Sequence, residues 1–213
     1  MSKEITAITP QKGNPHRLNI SLDGTYAFSL DRMSAAWLKL GQNLSASEIE
    51  DLKARDEIEV AFNRASHFLS FRARSETEML SYLSDKGFSE TVSENVINRL
   101  KEERLLGDHR FAQDWIDNRV SFRPRSQLQL RHELRQKGLQ ENIIEDALQK
   151  ANLDDIELAT VAGKKLIKRY TNLGWQDFRR KMAAALARRG FSYETSHTVT
   201  KQLWDETHTD TQA

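Results

Sequence analysis

Cysteine is absent from all 213 residues, which excludes disulfides, thiol nucleophiles and cysteine-ligated zinc. Long apolar runs are also missing. The first residues, Met1-Ser2-Lys3-Glu4-Ile5, lack the apolar stretch of a secretory signal, and no later segment approaches membrane-spanning length. A soluble cytoplasmic protein is therefore expected. Charge of one sign is scarce too, since 32 basic and 31 acidic side chains leave a formal +1. With 38% hydrophobic and 30% charged residues, the chain is very polar for one compact globule. It is nonetheless too regularly patterned for disorder. Small cores with much surface suit an elongated array of short bundles.

Catalytic signatures are missing as well. Ala162-Gly163-Lys164-Lys165 resembles the end of a phosphate-binding loop, but the earlier glycine is lacking and the residues sit inside a helical pattern. His132-Glu133 has no second histidine four residues on, and the six histidines show no metal-ligand spacing. No nucleophile elbow occurs. Asp108, Asp154 and Asp155 stand just before helical patterns, where carboxylates cap exposed amides more readily than they bind metal. A non-enzymatic protein without cofactors is expected.

What is present is organised by period. Leu18, Ile20 and Leu22 alternate with polar residues, and Tyr26, Phe28 and Leu30 do the same after Asp23-Gly24. Such a pair between alternating runs signals a type I′ hairpin, because both central positions need positive φ. Ile5 and Ile8 offer a third strand. From Ser34 the period turns helical, and Ser45 with Glu48 fits a capping box.

The remainder repeats. Lys86-Gly87-Phe88, Lys137-Gly138-Leu139 and Arg189-Gly190-Phe191 are 51 and 52 residues apart. Met79 and Leu83 match Leu130 and Leu134, then Met182 and Leu186. Val92, Val96 and Ile97 match Ile143, Ala147 and Leu148, while the third copy is weaker with Thr195, Val199 and Thr200. Each unit reads as three helices, the second opening at a Ser75 or Ser126 cap and closing at the glycine. The expected fold is mainly α: three tandem three-helix repeats in an elongated array behind a small N-terminal β-hairpin or three-strand segment. Expected boundaries are a β segment at 1–33, a helical linker at 34–56, and repeats at 57–107, 108–153 and 154–213 with the C-terminal tail.

The near-zero net charge hides segregation. From Arg119 to Lys137 there are six basic residues and one acid, Glu133; from Lys164 to Arg189 there are nine and one, Asp177. Acids gather elsewhere, as at Glu141, Glu145 and Asp146. Segregated charge builds local potential even when the sum cancels. Arg123-Pro124-Arg125 lies at a turn, so its two guanidinium groups are free to project together. Arg131 and Arg135 follow at i, i+4, where like charges repel unless an anion offsets them. The third unit carries Lys164, Lys165, Lys168 and Arg169 on one helix, then Arg179, Arg180, Lys181, Arg188 and Arg189 on the next. Repeated basic faces of this kind point to phosphates. The interleaved aromatics Phe122, Tyr170, Trp175 and Phe178 are expected as core or junction residues rather than base-stacking platforms.

Arg72-Ala-Arg-Ser-Glu-Thr-Glu-Met-Leu-Ser-Tyr-Leu-Ser-Asp-Lys-Gly-Phe88 closely resembles the first repeat of the RecX regulatory proteins. Leu100 to Ala112 resembles that family's junction, and Arg123 to Leu139 its second repeat. The likeness spans nearly all of 55–206; the N-terminal strands resemble an extension carried by some members. Arg104, Gly107 and Ser126 depart from the pattern, and the third repeat is divergent. The resemblance implies binding along the groove of the RecA–DNA filament. It further implies restraint of strand exchange and ATP hydrolysis in recombination, DNA repair and the SOS response, with weak, non-specific contact to single- and double-stranded DNA. Arg72 and Arg74 join Arg119, Arg123, Arg125, Arg131 and Arg135 as candidate filament- or DNA-binding residues. From the third repeat come Lys164, Lys165, Lys168, Arg179, Arg180, Arg188 and Arg189. No dimer seam shows in the pattern, so a monomer is expected. A helix-turn-helix-like DNA-binding repressor is the alternative, because short helices joined by tight turns imitate that motif.

Overall fold

The computed structural model describes residues 2–209. The first strands are β1 (Lys3–Gln11), β2 (Asn14–Leu22) and β3 (Thr25–Asp31), joined by β4 (Asn43–Leu44) in an antiparallel sheet of order β3-β2-β1-β4. Asp23 and Gly24 take φ of 50° and 82° and Leu22 pairs with Thr25, the two-residue hairpin that the Asp-Gly signal requires. Ile5, Ile20, Leu22, Phe28 and Leu30 are buried on one face. Tyr26 departs from the alternation and is exposed. Between the Ile20–Phe28 and Ser21–Tyr26 pairs the register shifts, leaving Ala27 as an extra residue; this bulge moves Tyr26 off the core face.

Helix α1 (Ala46–Phe71) begins with the full Ser45–Glu48 capping box. It runs without a break through the boundary expected at residues 56 and 57, because one helix serves two cores. Its first half packs Leu52 onto the sheet, and buried Asp56 there accepts from Arg17 (2.7 Å) and from the Asp31 amide. Its second half sends Ala61, Phe62 and Ala65 into a core with Met79, Leu83, Val96 and Leu100. The segment expected as a helical linker is thus a run of turns that buries Ala35 and Leu38, then strand β4 and the start of α1.

Three three-helix repeats follow. The first joins α1 to α2 (Glu76–Asp85) and α3 (Glu90–Glu102). The second is α4 (Asp108–Phe122), α5 (Gln127–Gln136) and α6 (Glu141–Ala151). The third is α7 (Asp155–Ile167), α8 (Trp175–Ala187) and α9 (Tyr193–Thr209). In each repeat the first helix packs on the third. The chain divides into two compact units: residues up to Arg74 with Met79–Leu106, and Ser75–Glu78 with the residues from Gly107 onward.

The second helix of every repeat ends in the same way. Gly87, Gly138 and Gly190 take φ of 83°, 79° and 87°. Their amides donate to Ser84, Arg135 and Ala187, and the next amides, of Phe88, Leu139 and Phe191, reach back to Leu83, Leu134 and Leu186. These paired bonds are Schellman closures, and Leu139 and Phe191 are buried against their own repeats.

The aspartates before helices do cap amides, but two of them cap a helix other than their own. Asp154 accepts from Ile156 and Glu157 at the start of α7. Asp108 instead takes the Glu76 amide of α2 (2.8 Å), and Asp155 takes the Gln127 amide of α5 (2.9 Å). Each carboxylate therefore ties a repeat to the one before it. Asp155→Ala should destabilise the second unit by about 1 kcal/mol, the usual loss of a side-chain cap. Urea unfolding followed by helical circular dichroism reads this directly; an unchanged midpoint would make the bond incidental.

Candidate nucleic-acid interface

The fourteen candidate cations have different surroundings. In the first unit, Arg72 caps the end of α1 and donates to the Ala73 carbonyl, while Arg74 lies over the Phe68 ring at 3.8 Å. Phe68 in turn stacks on Tyr82, so Arg74 is held against an aromatic pair.

In the second unit Glu133 is a hub. It accepts from Arg119 (2.6 Å) and Trp115 (2.9 Å), and Arg125 approaches it at 3.8 Å. Arg119 also lies over the Trp115 ring. The single acid in this basic run is thus engaged inside its own repeat, through two hydrogen bonds on Oε2 and a longer ion pair on Oε1.

Arg131 and Arg135 are offset from within the chain. Arg131 makes a two-pronged pair with Glu145 (2.8 and 2.9 Å), and Arg135 does the same with Glu141 (2.7 and 2.6 Å). Hydrogen bonding to these carboxylates raises both guanidinium pKa values and holds Glu141 below the usual carboxylate range. The anion required by the i, i+4 arginines is therefore supplied by α6. Charges separated along the sequence are adjacent in space here, because α5 and α6 pack together.

The third repeat is less neutralised. Lys164 pairs loosely with Glu206 at 3.8 Å, and Arg180 with Asp177 at 2.8 Å. Lys165 donates to the Ser121 and Phe122 carbonyls at the end of α4, and Arg125 to the Arg188 carbonyl at the end of α8. Cations are favoured there because last-turn carbonyls lack helical partners. Arg123, Lys168, Arg169, Arg179 and Arg188 are exposed, and among the described residues none forms an ion pair. Arg123 and Arg125 at the end of α4, Lys165 to Arg169 at the end of α7, and Arg188 and Arg189 at the end of α8 come together. The Ser126 amide donates to the Arg189 carbonyl (3.2 Å), which fixes that meeting.

Of the four aromatics, Phe178 is buried, and Tyr170 and Trp175 pack against the third core. Phe122 is 70% exposed and is a junction rather than a core residue: it lies in the last turn of α4, beyond the buried Phe111, Ala112 and Ile116. Gly163 sits in α7, where a Cβ would run into Leu203; close packing of α7 against α9 accounts for the glycine beside the two lysines. Among the described residues no group of three or more His, Asp or Glu side chains is placed to hold a metal, and no helix is long and apolar enough to cross a membrane.

Known proteins match in the same segments. Family models match at residues 3–45 (regulatory protein RecX N-terminal domain) and at 61–100, 108–148 and 154–199 (RecX first, second and third three-helix domains). The regulatory protein RecX of Bacillus subtilis (strain 168) is 33% identical over 211 residues, covering 98% of this chain and 80% of the relative. The RecX of Bacillus velezensis is 32% identical over 201 residues, covering 93% and 76%. A crystal structure of regulatory protein RecX superimposes with a TM-score of 0.69 at 27% identity, covering 93% of this chain and 99% of that one. RecX from Lactobacillus salivarius gives 0.58 at 26%, covering 70% and 97%. With its sheet and all three repeats matched in order, the chain belongs to the RecX family of regulatory proteins.

Proposed function

We propose that this protein binds the RecA–DNA filament and restrains strand exchange and the accompanying ATP hydrolysis, acting as a cytoplasmic monomer without a cofactor. The observation that carries the reading is likeness along the whole chain to proteins named regulatory protein RecX. The meeting of cations at the ends of α4, α7 and α8 supports the DNA-contacting part. There Arg123, Lys168, Arg169 and Arg188 provide exposed positive charge that no acid among the described residues pairs with.

The test is RecA-catalysed ATP hydrolysis on single-stranded DNA, using the RecA of the same organism. Added protein should lower the rate while hydrolysing no ATP alone. Arg123→Glu with Arg179→Glu should weaken this inhibition about tenfold, because both side chains are exposed and, among the described residues, bonded to none. Added protein that leaves ATP hydrolysis and strand exchange unchanged would remove the reading. A protein that ignored RecA and bound one duplex sequence far more tightly than others would be a repressor instead.

A further inference from the structure

Arg189 has no role that the fold explains. It is half buried, and its Nη1 atom is shielded from solvent without any hydrogen-bond acceptor; the Nε of Arg125 is in the same condition. Burying a guanidinium N–H without an acceptor is unfavourable, so such groups are normally satisfied. Among the described residues no carboxylate compensates Arg189. Its charged neighbours are Arg125 and Arg169, with the Tyr170 ring alongside. Glu133 takes Arg119 and Trp115 on Oε2 and leaves Oε1 at 3.8 Å from Arg125 Nε, an ion pair too long for a hydrogen bond. Burial, followed by repulsion from Arg125 and Arg169, holds the Arg189 pKa below its ordinary value.

The three arginines come from different segments: the α4–α5 junction, the turn after α7, and the end of α8. The backbone holds them together. Arg125 donates to the Arg188 carbonyl at 3.1 Å, Ser126 to that of Arg189 at 3.2 Å, and Lys165, one turn before Arg169, to that of Ser121 at 2.9 Å. Three guanidinium groups brought from three segments suit a tetrahedral oxyanion better than a planar carboxylate. Lys168, Arg188 and Arg123 lie exposed beside these arginines in sequence, adding positive charge for a polyanion rather than for one isolated anion.

We propose that Arg125, Arg169 and Arg189 form a subsite for one phosphodiester group of a nucleic-acid backbone. The proposal deepens the DNA-contacting part of the function above and rests on it. Arg169→Gln in the full chain is the cleanest variant, since the Arg169 side chain is exposed and, among the described residues, makes no hydrogen bond or ion pair. Arg189→Gln is the second. Binding to a mixed-sequence duplex, measured across salt concentrations, should weaken about tenfold for either variant, and the log–log salt slope should fall by about 0.9. Inorganic phosphate should raise the thermal midpoint of the wild-type protein above that in chloride of equal ionic strength, and raise it less in Arg169→Gln. Unchanged affinity and slope in both folded variants would overturn the subsite. Protection by succinate equal to that by phosphate would also overturn it, pointing to an acidic protein partner. RecA ATP hydrolysis measured in parallel separates the two readings: inhibition by wild type with no loss of DNA affinity in the variants sinks only the subsite. Loss of affinity with no inhibition of RecA by wild type sinks only the regulatory function.

Discussion

Alanine at Gly138 should cost the second unit about 3 kcal/mol, whereas alanine at Gly87 should cost the first unit only about 1 kcal/mol. Both glycines close a helix with nearly the same positive φ, 79° and 83°, so the conformational penalty for an L residue is shared. Their surroundings differ. A Cβ on Gly87 meets nothing within 4 Å, while one on Gly138 lies about 2.5 Å from three Thr77 side-chain atoms. Thr77 cannot easily withdraw, because its hydroxyl donates to the Gly138 carbonyl (2.9 Å) while Ser75 donates to that of Lys137 (2.6 Å). Lys137 is further tied to Glu78 at 2.7 Å. Urea unfolding of each variant by circular dichroism makes the comparison, and Thr77→Ala in the Gly138→Ala background should recover the steric part, about 2 kcal/mol. Equal losses at the two glycines would mean that Thr77 yields and that only the left-handed conformation matters. Gly190 resembles Gly138: its Cβ would stand 2.6 Å from that of Gln129 and 2.7 Å from the Ser126 hydroxyl.

This asymmetry marks the limit of what the sequence reveals. The spacing of Gly87, Gly138 and Gly190 discloses the repeat and the helix stops, because both follow from local backbone chemistry. That two of these glycines also clear space for the previous repeat is invisible in a spacing; it depends on which surface arrives there. Asp108 and Asp155 make the same point. Their type and position announce caps, but the amides they satisfy belong to α2 and α5, far back in the chain. Alternation in β2 and β3 places Ile20, Leu22, Phe28 and Leu30 correctly and fails at Tyr26, where an unsignalled bulge changes the face. The basic runs were legible as runs. Their meeting at the ends of α4, α7 and α8 was not, and neither was the pairing of α5 arginines with α6 glutamates, because both arise from packing between helices.

Replacing Glu141 and Glu145 together with glutamine should strengthen binding to non-specific duplex DNA, by about tenfold at low salt, and steepen its salt dependence. In the native protein these carboxylates occupy Arg131 and Arg135 through two-pronged bonds and cancel their charge locally. Removing both negative charges frees two cations on exposed or half-exposed positions. If both then neutralise phosphates, the log–log slope grows by as much as about 1.8. Arg131→Gln with Arg135→Gln in the wild-type background should change affinity far less, because those guanidinium groups are already engaged. The pH dependence follows from Glu141. Arg135 holds its pKa below the ordinary carboxylate range, so the pair is intact above that range and is lost only as pH falls through the lowered value. The wild-type slope should therefore stay constant from about pH 8 down to about pH 5 as far as this pair is concerned. A double glutamine variant that binds DNA no better than wild type, at any salt, would place Arg131 and Arg135 away from the nucleic-acid path. Their role would then be the bracing of α5 against α6, and the DNA contact would fall to the cations at the ends of α4, α7 and α8.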